Sequence, residues 1–424
     1  MDRFDYQTRP FRGARGRSVA ALALALFGLV VGREALAFAE DIVAPGTLLL
    51  DVDTVVDSTD ANPADGVCAD SQGRCSLRAA VQEFNAFGPD EGLIRVPGGT
   101  YALELVGAGE LFSATGDLNV TGGVLRIDGS GDPANPTIIQ GTASWDDRLI
   151  SVAGTSDLTI ENMVLSGGNV GGNGGAVWAA DTSSLTLRDC SVTGNTAAGN
   201  GGGVAAQGTG LTVERCRIGT NVAGSSGGGL YTEATTAVIR DTTIDGNGAG
   251  TAGGGLWAYS ELGSVAVVNS TVSGNQATNG GGILSAGNVG LYSVTVTANL
   301  AESVYPDDTP HGGGLYASGF TELRNSIVAG NAAGDAATLY SEDCYGDIND
   351  LRSRGYNLLG SDNPDTHRKN TKEKAGRAVA VYSTSPVVEG RHRLICRDRI
   401  GFWLSRPNLA RAKFAGLAIR SGGT

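Results

Sequence analysis

Between residues 174 and 331 the apolar side chains alternate with polar ones and do not gather on a helical face. Leu185, Leu187, Cys190 and Val192 are answered one unit later by Leu211, Val213, Cys216 and Ile218. A period of two is the signature of a strand, and no stretch of this region carries the 3.6-residue period of a helix. The alternation is itself repeated. A glycine triplet closed by a β-prone residue begins at Gly174, Gly201, Gly227, Gly253, Gly280 and Gly312, in steps of 27, 26, 26, 27 and 32 residues, with Ala176 standing third in the first of them. A second column keeps the same beat, an apolar residue followed three places on by Asn195, Asn221, Asn247, Asn275, Asn299 and Asn331. A third marks a corner between two short strands: Asn162, Asp189, Arg215, Asp241, Asn269, Ser293 and Asn325. Asn and Asp suit such a corner because they tolerate left-handed backbone and can bond their own main chain. Three short strands and three turns per unit describe one coil of a parallel β-helix, in which the core arises only when coils stack. The seven coils marked by these columns predict a rod of roughly 30 Å at ~4.8 Å per coil. The strand-like runs Leu93 to Val96, Leu118 to Ile127 and Leu149 to Val152 read as earlier, less regular coils.

One segment breaks the alternation. Leu77, Ala80, Val81 and Phe84 stand at i, i+3, i+4 and i+7, with Ser76 placed to cap them, which predicts a short amphipathic helix. A β-helix end exposes apolar core and unpaired strand edge, so a helix here reads as a cap and not as a catalytic element. The predicted architecture is therefore all-β, a parallel β-helix over 93–362 with a short N-terminal helical cap within 40–92.

Composition sharpens this picture. Glycine is 66 of 424 residues and charged residues are 18%, a balance of many tight turns in a chain too apolar to be disordered. Residues 40–364 carry 12 Lys+Arg against 37 Asp+Glu, whereas residues 365–424 carry 13 against 4. So acidic a body lacks the basic footprint of a nucleic-acid binder, and that class is excluded. Arg9, Arg12, Arg15 and Arg17 precede an apolar run from Ser18 to Val31 and the small-residue sites Ala35-Leu36-Ala37 and Ala37-Phe38-Ala39. This pattern predicts a signal peptide over 1–39, hence a secreted, extracellular or outer-membrane-surface protein. No other segment is apolar and long enough for a transmembrane helix in the mature chain.

In an exported chain cysteines can pair. Cys68 and Cys75 bracket the polar loop Ala69 to Arg74 and are the first candidate disulfide. Cys190 and Cys216 fall in one inward column a coil apart; a strained disulfide and a reduced buried pair both fit. For Cys344 the sequence offers only Cys396.

The segment Asp57 to Ala86, with Asp65-Gly66-Val67-Cys68 and then Cys75-Ser76-Leu77-Arg78-Ala79-Ala80-Val81-Gln82-Glu83-Phe84-Asn85, resembles the CSLREA-type motif that heads many bacterial exported β-helix proteins. The Val/Ile-x-x-Asn and Gly-Gly-Gly-Ile/Leu columns are similar to repeats of the polymorphic outer membrane proteins, within the pectin-lyase-like class. Asp343-Cys344 and Gly355-Tyr356-Asn357-Leu358-Leu359-Gly360 also resemble the segment after the last coil in such proteins. The resemblance covers about residues 50–362. It implies a right-handed coil and residence at a cell surface. It fails from Asp365 onward, where the repeat stops, glycine thins to 6 in 60 residues and the charge changes sign. A reading-frame slip or truncated gene fits 363–424 better than a designed basic tail.

The candidate chemistry lies on one outward column. The residue after each glycine unit reads Trp178, Ala205, Tyr231, Trp257, Leu284 and Tyr316, with Tyr259 two places beyond Trp257. Trp178, Tyr231, Trp257, Tyr259 and Tyr316 are the candidate ligand-binding residues, because aromatic rings stack on sugar faces. The same column serves equally as a ladder that stabilises strand pairing. Glu233 and Glu261 are the candidate catalytic acids beside it, with Asp181 nearby, although glycoside hydrolysis wants two carboxylates flanking one bond. The irregular coil at Ala301 to His311 brings Glu302, Asp307, Asp308 and His311 together, a candidate metal loop that also reads as solvated surface. Asp57, Asp60, Asn62, Asp65 and Asp70 form an acidic run without EF-hand spacing. No cofactor is expected. The sequence thus points to a non-enzymatic adhesin, glycan-binding or structural surface module whose partners are glycans or a host or neighbouring cell surface. A polysaccharide lyase or glycoside hydrolase on the same fold is the rival, since fold alone does not settle function.

Overall fold

The computed structural model describes residues 46–360, apart from 181–182, 209, 261–262, 304–309, 336–337 and 347–350, together with 379–381. The signal peptide expected over 1–39 and nearly all of the tail expected over 363–424 lie outside the described residues. From Leu48 to Gly360 the described residues form one unit, a right-handed parallel β-helix.

One coil shows the plan. Val177–Ala179, Ser184–Arg188, Ser191–Thr193 and Thr196–Ala197 follow in turn, and the chain then returns to the first position at Val204–Gln207. Each strand hydrogen-bonds in parallel to its counterpart one coil away, so Leu187 lies opposite Val213, Val213 opposite Ile239 and Ile239 opposite Val267. The coil has four strands where alternation predicted three, because the two-residue strand at Thr196–Ala197 is too short to show a period. Four sheets result. The first has 11 strands, from Leu48–Asp51 to Leu351–Ser353. The second begins at Gly99–Leu103 and reaches Asn357–Leu359, on which Val379–Val381 adds an antiparallel edge. The third consists of the short strands, and the fourth runs from Leu118–Val120 to Cys344–Gly346. Eleven coil levels span roughly 50 Å. Stacking starts earlier than the alternation indicates, since Leu48–Asp51 already pairs with Glu91–Arg95.

The repeat columns acquire physical roles here. Leu185, Leu187, Cys190, Val192 and their equivalents fill the interior. All seven predicted corner residues take left-handed φ, between 45° and 60°. The first glycine of each triplet is also left-handed, as at Gly227 (φ 69°). The second comes so close to its neighbours that a Cβ on Gly228 would strike the carbonyl oxygens of Gly248 and Gly254. Any side chain there would force the coils apart.

The asparagines form a continuous amide ladder inside the turn. Asn195 Nδ2 donates to Asn221 Oδ1 at 3.0 Å, Asn221 to Asn247 at 3.0 Å and Asn247 to Asn275 at 2.9 Å. Asn275 donates to Asn299 and Asn299 to Asn331, both at 2.9 Å. The ladder closes on Asp343 Oδ1, again at 2.9 Å. Each rung also accepts the backbone N–H of the rung before it, as when Asn221 N donates to Asn247 Oδ1 at 2.9 Å. A turn whose backbone groups would be buried unpaired is thereby satisfied by side chains.

At the N-terminal end the predicted helix is present as Leu77–Phe87, with the Ser76 side chain accepting from Ala79 N and Gly88 closing it in the left-handed region. Leu77, Ala80, Val81 and Phe84 are buried against the first coils, and Cys68–Cys75 is a disulfide. Two charged residues are buried with them. Arg78 forks onto Asp57 (Nε–Oδ1 2.6 Å, Nη2–Oδ2 3.1 Å) and donates to the carbonyls of Ser113 and Gly116. Glu83 accepts the backbone N–H groups of Ala64 and Gly66 at 2.7 and 2.5 Å. These bonds tie the loops before and after the helix across the end of the stack.

Candidate functional site

The outer face of the fourth sheet carries the aromatic column. Strand register places Asn119, Ser151, Trp178, Ala205, Tyr231, Trp257, Leu284, Tyr316 and Tyr345 in a single line across successive coils. Alternation is the cause, because each follows by one place an inward residue such as Val177, Leu230 or Leu256. Tyr345 gave no signal in the sequence. Its strand, Cys344–Gly346, has no glycine triplet to announce it, and only the pairing of Cys344 with Leu315 reveals the register.

The column divides into two aromatic clusters. In the first, the rings of Tyr231 and Trp257 stack face to face, with centroids 4.4 Å apart and planes 10° apart. Tyr259 leans against Trp257 at 6.1 Å and 35°. Tyr231 is only 7% exposed, whereas Trp257 and Tyr259 are half-buried. One face of Trp257 is thus taken by Tyr231, and Tyr259 leans on the same ring. Trp178 stands apart, half-buried, separated from Tyr231 by Ala205. In the second cluster His311 stacks on Tyr345 at 4.1 Å and 11°, while Tyr316 tilts onto the same ring at 5.0 Å.

Polar groups border the first cluster. Gln207 Nε2 donates to Glu233 Oε2 at 2.6 Å on the adjacent coil. Burial, and then the hydrogen bond to Glu233, holds the Tyr231 hydroxyl well above the usual tyrosine pKa, so it remains a donor. Glu233 is therefore engaged from two sides. Glu261, the second candidate acid, and Asp181 lie outside the described residues. Further along the same face Asp117 and Asp147 share Arg148, with Nη1–Oδ distances of 3.2 and 3.9 Å. Burial and the neighbouring Asp147 charge push the Asp117 carboxyl above its ordinary range, against the pull of Arg148. Both acids are 2% exposed, so this trio braces the early coils and is closed to a substrate.

The metal candidates fare differently. Asp307 and Asp308 lie outside the described residues. His311 Nδ1 stands 3.6 Å from Glu342 Oε1 and its ring is stacked on Tyr345. The acidic run of the headpiece does not converge on a cation. Asp57 holds Arg78 and the N–H groups of Glu104 and Leu105. Asp60 accepts from Asn62 N and Ala69 N, and Asp65 from Asn62 Nδ2 and Val67 N. Asp70 is paired with Arg74 at 2.8 Å, and this contact holds its carboxyl well below the usual carboxylate range. Among the described residues no three His, Cys, Asp or Glu side chains group as a metal site.

The interior column of sulfurs is reduced. Cys190 and Cys216 are free, buried thiols. The hydrogen bond with the Cys216 thiol, and then burial, pushes the Cys190 thiol well up. Cys344 is disulfide-bonded, and Cys396, the partner named from sequence, lies outside the described residues.

A family model described as the right handed beta helix region matches residues 123–351. Among solved structures the chain is similar to the crystal structure of pectate lyase Pel9A, at 12% identity and a TM-score of 0.46, with 74% of this chain and 76% of that chain covered. It is also similar to the mannuronan C-5 epimerase AlgE6 A-module of Azotobacter vinelandii, at 14% identity and a TM-score of 0.27, with 73% and 92% covered. No curated protein matches the chain.

Proposed function

The chain belongs to the right-handed beta-helix family, and from that premise we propose that it is an exported surface module that binds glycans, without catalysis, on the outer face of its fourth sheet. The observation that carries this reading is the Trp257 cluster. Trp257 is half-buried, pinned by the stacked Tyr231, flanked by Tyr259 and bordered by Gln207 and Glu233. A rigid aromatic edge beside a carboxylate and an amide offers a sugar ring both an apolar surface and acceptors for its hydroxyls, with little ordering left to do on binding. The acidic balance of residues 40–364 favours neutral over polyanionic glycans at this face.

A second reading, polysaccharide cleavage on the same face, rests on Glu233 lying within hydrogen-bond reach of the Tyr231 hydroxyl. The two are separated by one comparison. The full chain is screened on a glycan array, and the best neutral oligosaccharide is titrated against wild type, Trp257→Ala and Tyr259→Ala. Binding that falls at least tenfold in both variants, while the far-ultraviolet spectrum is unchanged, is the expected result. Wild-type binding to no glycan, or binding indifferent to both substitutions, would sink the proposal. Release of new reducing or unsaturated ends that disappears in Glu233→Gln would replace it with the enzyme reading.

A further inference from the structure

A pocket of about 420 Å³ lies far from the aromatic column, at the corner between the first and second sheets near the C-terminal coils. Three successive corners build it. Tyr292 and Ser293 come from one coil, Arg324 and Asn325 from the next, and Tyr356 from the last.

Its chemistry stands out from the rest of the body. Residues 46–360 contain twelve arginines and no lysine. Ten of the twelve, Arg74 and Arg148 among them, face a carboxylate within 4 Å. On the first sheet this pairing runs coil to coil, with Arg188 between Glu161 and Glu214, and Arg240 again on Glu214. Of the other two, Arg352 lies over the ring of Phe320 at 4.6 Å. Among the described residues Arg324 alone has neither partner, and it lines the pocket. An unmatched guanidinium in so acidic a body is a fork suited to an anion.

The walls point the same way. Tyr356 is 69% exposed and takes φ 56°, the only aromatic residue in the left-handed region among those described. The equivalent corners use Asn, Asp, Ser or Arg. A bulky residue in that conformation is strained, and so exposed a ring recovers little by packing; such outliers mark functional positions. Tyr292, also in the lining, lays its ring against Gly290, where a Cβ would strike the hydroxyl. Asn325 Nδ2 donates to Ser293 Oγ at 2.9 Å, and both residues line the pocket.

We infer that this corner binds a single anionic saccharide unit, its carboxylate or sulfate on Arg324 and its ring between Tyr292 and Tyr356. One guanidinium answers one charge, and the acidic body repels a longer polyanion. The site shares no residue with the fourth-sheet face and does not depend on that face binding sugar.

The experiment is calorimetric titration of the full chain with three oligosaccharides of one backbone, carrying a terminal uronate, a terminal sulfate ester or a neutral hexose. Binding of the uronate, the sulfate or both, at least tenfold tighter than the neutral form and weakened by salt, is the expected result; which of the two binds identifies the anion. Arg324→Gln should abolish the preference, and Trp257→Ala should leave it intact. Tyr356→Asn should lose affinity while raising the melting temperature, since asparagine tolerates the corner conformation, a combination that a structural role for Tyr356 does not give. Equal binding of all three sugars, no binding of either anionic form, or full affinity in Arg324→Gln would overturn the inference.

Discussion

Replacing Asn247 by leucine, nearly isosteric and wholly apolar, tests whether the amide ladder holds the coils in register. Four hydrogen bonds end on this side chain. Its Nδ2 donates to Ile218 O and to Asn275 Oδ1, both at 2.9 Å, and its Oδ1 accepts from Asn221 N at 2.9 Å and Asn221 Nδ2 at 3.0 Å. Not all four losses weigh equally. Asn221 Nδ2 keeps Val192 O, and Asn275 Oδ1 keeps the backbone N–H of residue 247. Asn221 N, in contrast, is left buried without its acceptor. One orphaned buried donor costs about 1–3 kcal/mol and each of the three remaining bonds about 1 kcal/mol, so the expected loss is about 4–6 kcal/mol. In a solenoid the damage falls on the two interfaces flanking this coil, so unfolding should also lose cooperativity there. Urea titration followed by circular dichroism reads both effects. Asn195→Leu should cost a similar amount, because four bonds also end on that side chain and Gly168 N is likewise left without its acceptor. A loss below about 1 kcal/mol in Asn247→Leu would mean that water or a shifted backbone replaces the ladder, and that the column does not fix the stack.

Two further substitutions test the ends of the molecule. Asp343 closes the ladder, 2% exposed, with Oδ2 buried and unpaired, and burial raises its pKa despite the bonds from Asn331. A folded-state pKa above the unfolded one means that its contribution is intact at low pH and lost as pH rises through the shifted value; each tenfold weakening of the acid takes about 1.4 kcal/mol from the folded state. Asp343→Asn should therefore match wild type near pH 3.5 and exceed it in thermal melts near pH 8; equal pH profiles would refute the assignment. At the other end, Arg78→Met strands Asp57 and two carbonyls in the cap and should cost about 3–5 kcal/mol in urea titrations, with Arg78→Lys intermediate because it keeps the charge and loses the fork. A neutral effect of Arg78→Met would show that the headpiece is not held by that ion pair.

The range of each interaction decides how far the sequence could disclose it. Features fixed within one coil were legible. The inward residues Leu187 and Val213, the corner residues Asp189 and Asn269, and the helix at Leu77 to Phe84 all come from spacing, because local sterics and burial decide them. Features that exist only between coils were not. The Asn column was visible as a column, but its role needs the facing rung, and periodicity does not say whether an inward amide meets another amide or water. Arg78 and Glu83 fall outside the apolar i, i+3, i+4, i+7 set of the helix, yet loops distant in sequence fold over them and make them interior. The aromatic column was placed on the correct strands, whereas the face-to-face contact of Tyr231 with Trp257 depends on rotamers that alternation does not set. Arg324 was silent for the same reason, since an arginine is recognisable as unpaired only after its eleven counterparts have been matched in space.

This division also explains how one fold can carry two unlike surfaces. Register in the stack is set from inside, by apolar columns, the amide ladder and glycines that allow backbone contact. Outward positions are correspondingly free of that duty. On the first sheet they are occupied by alternating charge, with Glu161, Arg188, Glu214 and Arg240 pairing across coils. On the fourth they are aromatic, and at the C-terminal corner they hold a lone guanidinium between two tyrosines. The corner position shows the distinction most directly. From Asn162 to Asn325 each coil places there a residue that the left-handed backbone tolerates or that pairs with its neighbour, as Arg215 does with Asp189 at 2.8 Å. Tyr356 does neither, and the coil below it accepts the strain. A position that departs from the rule its own repeat enforces is where selection for something other than folding has to be sought.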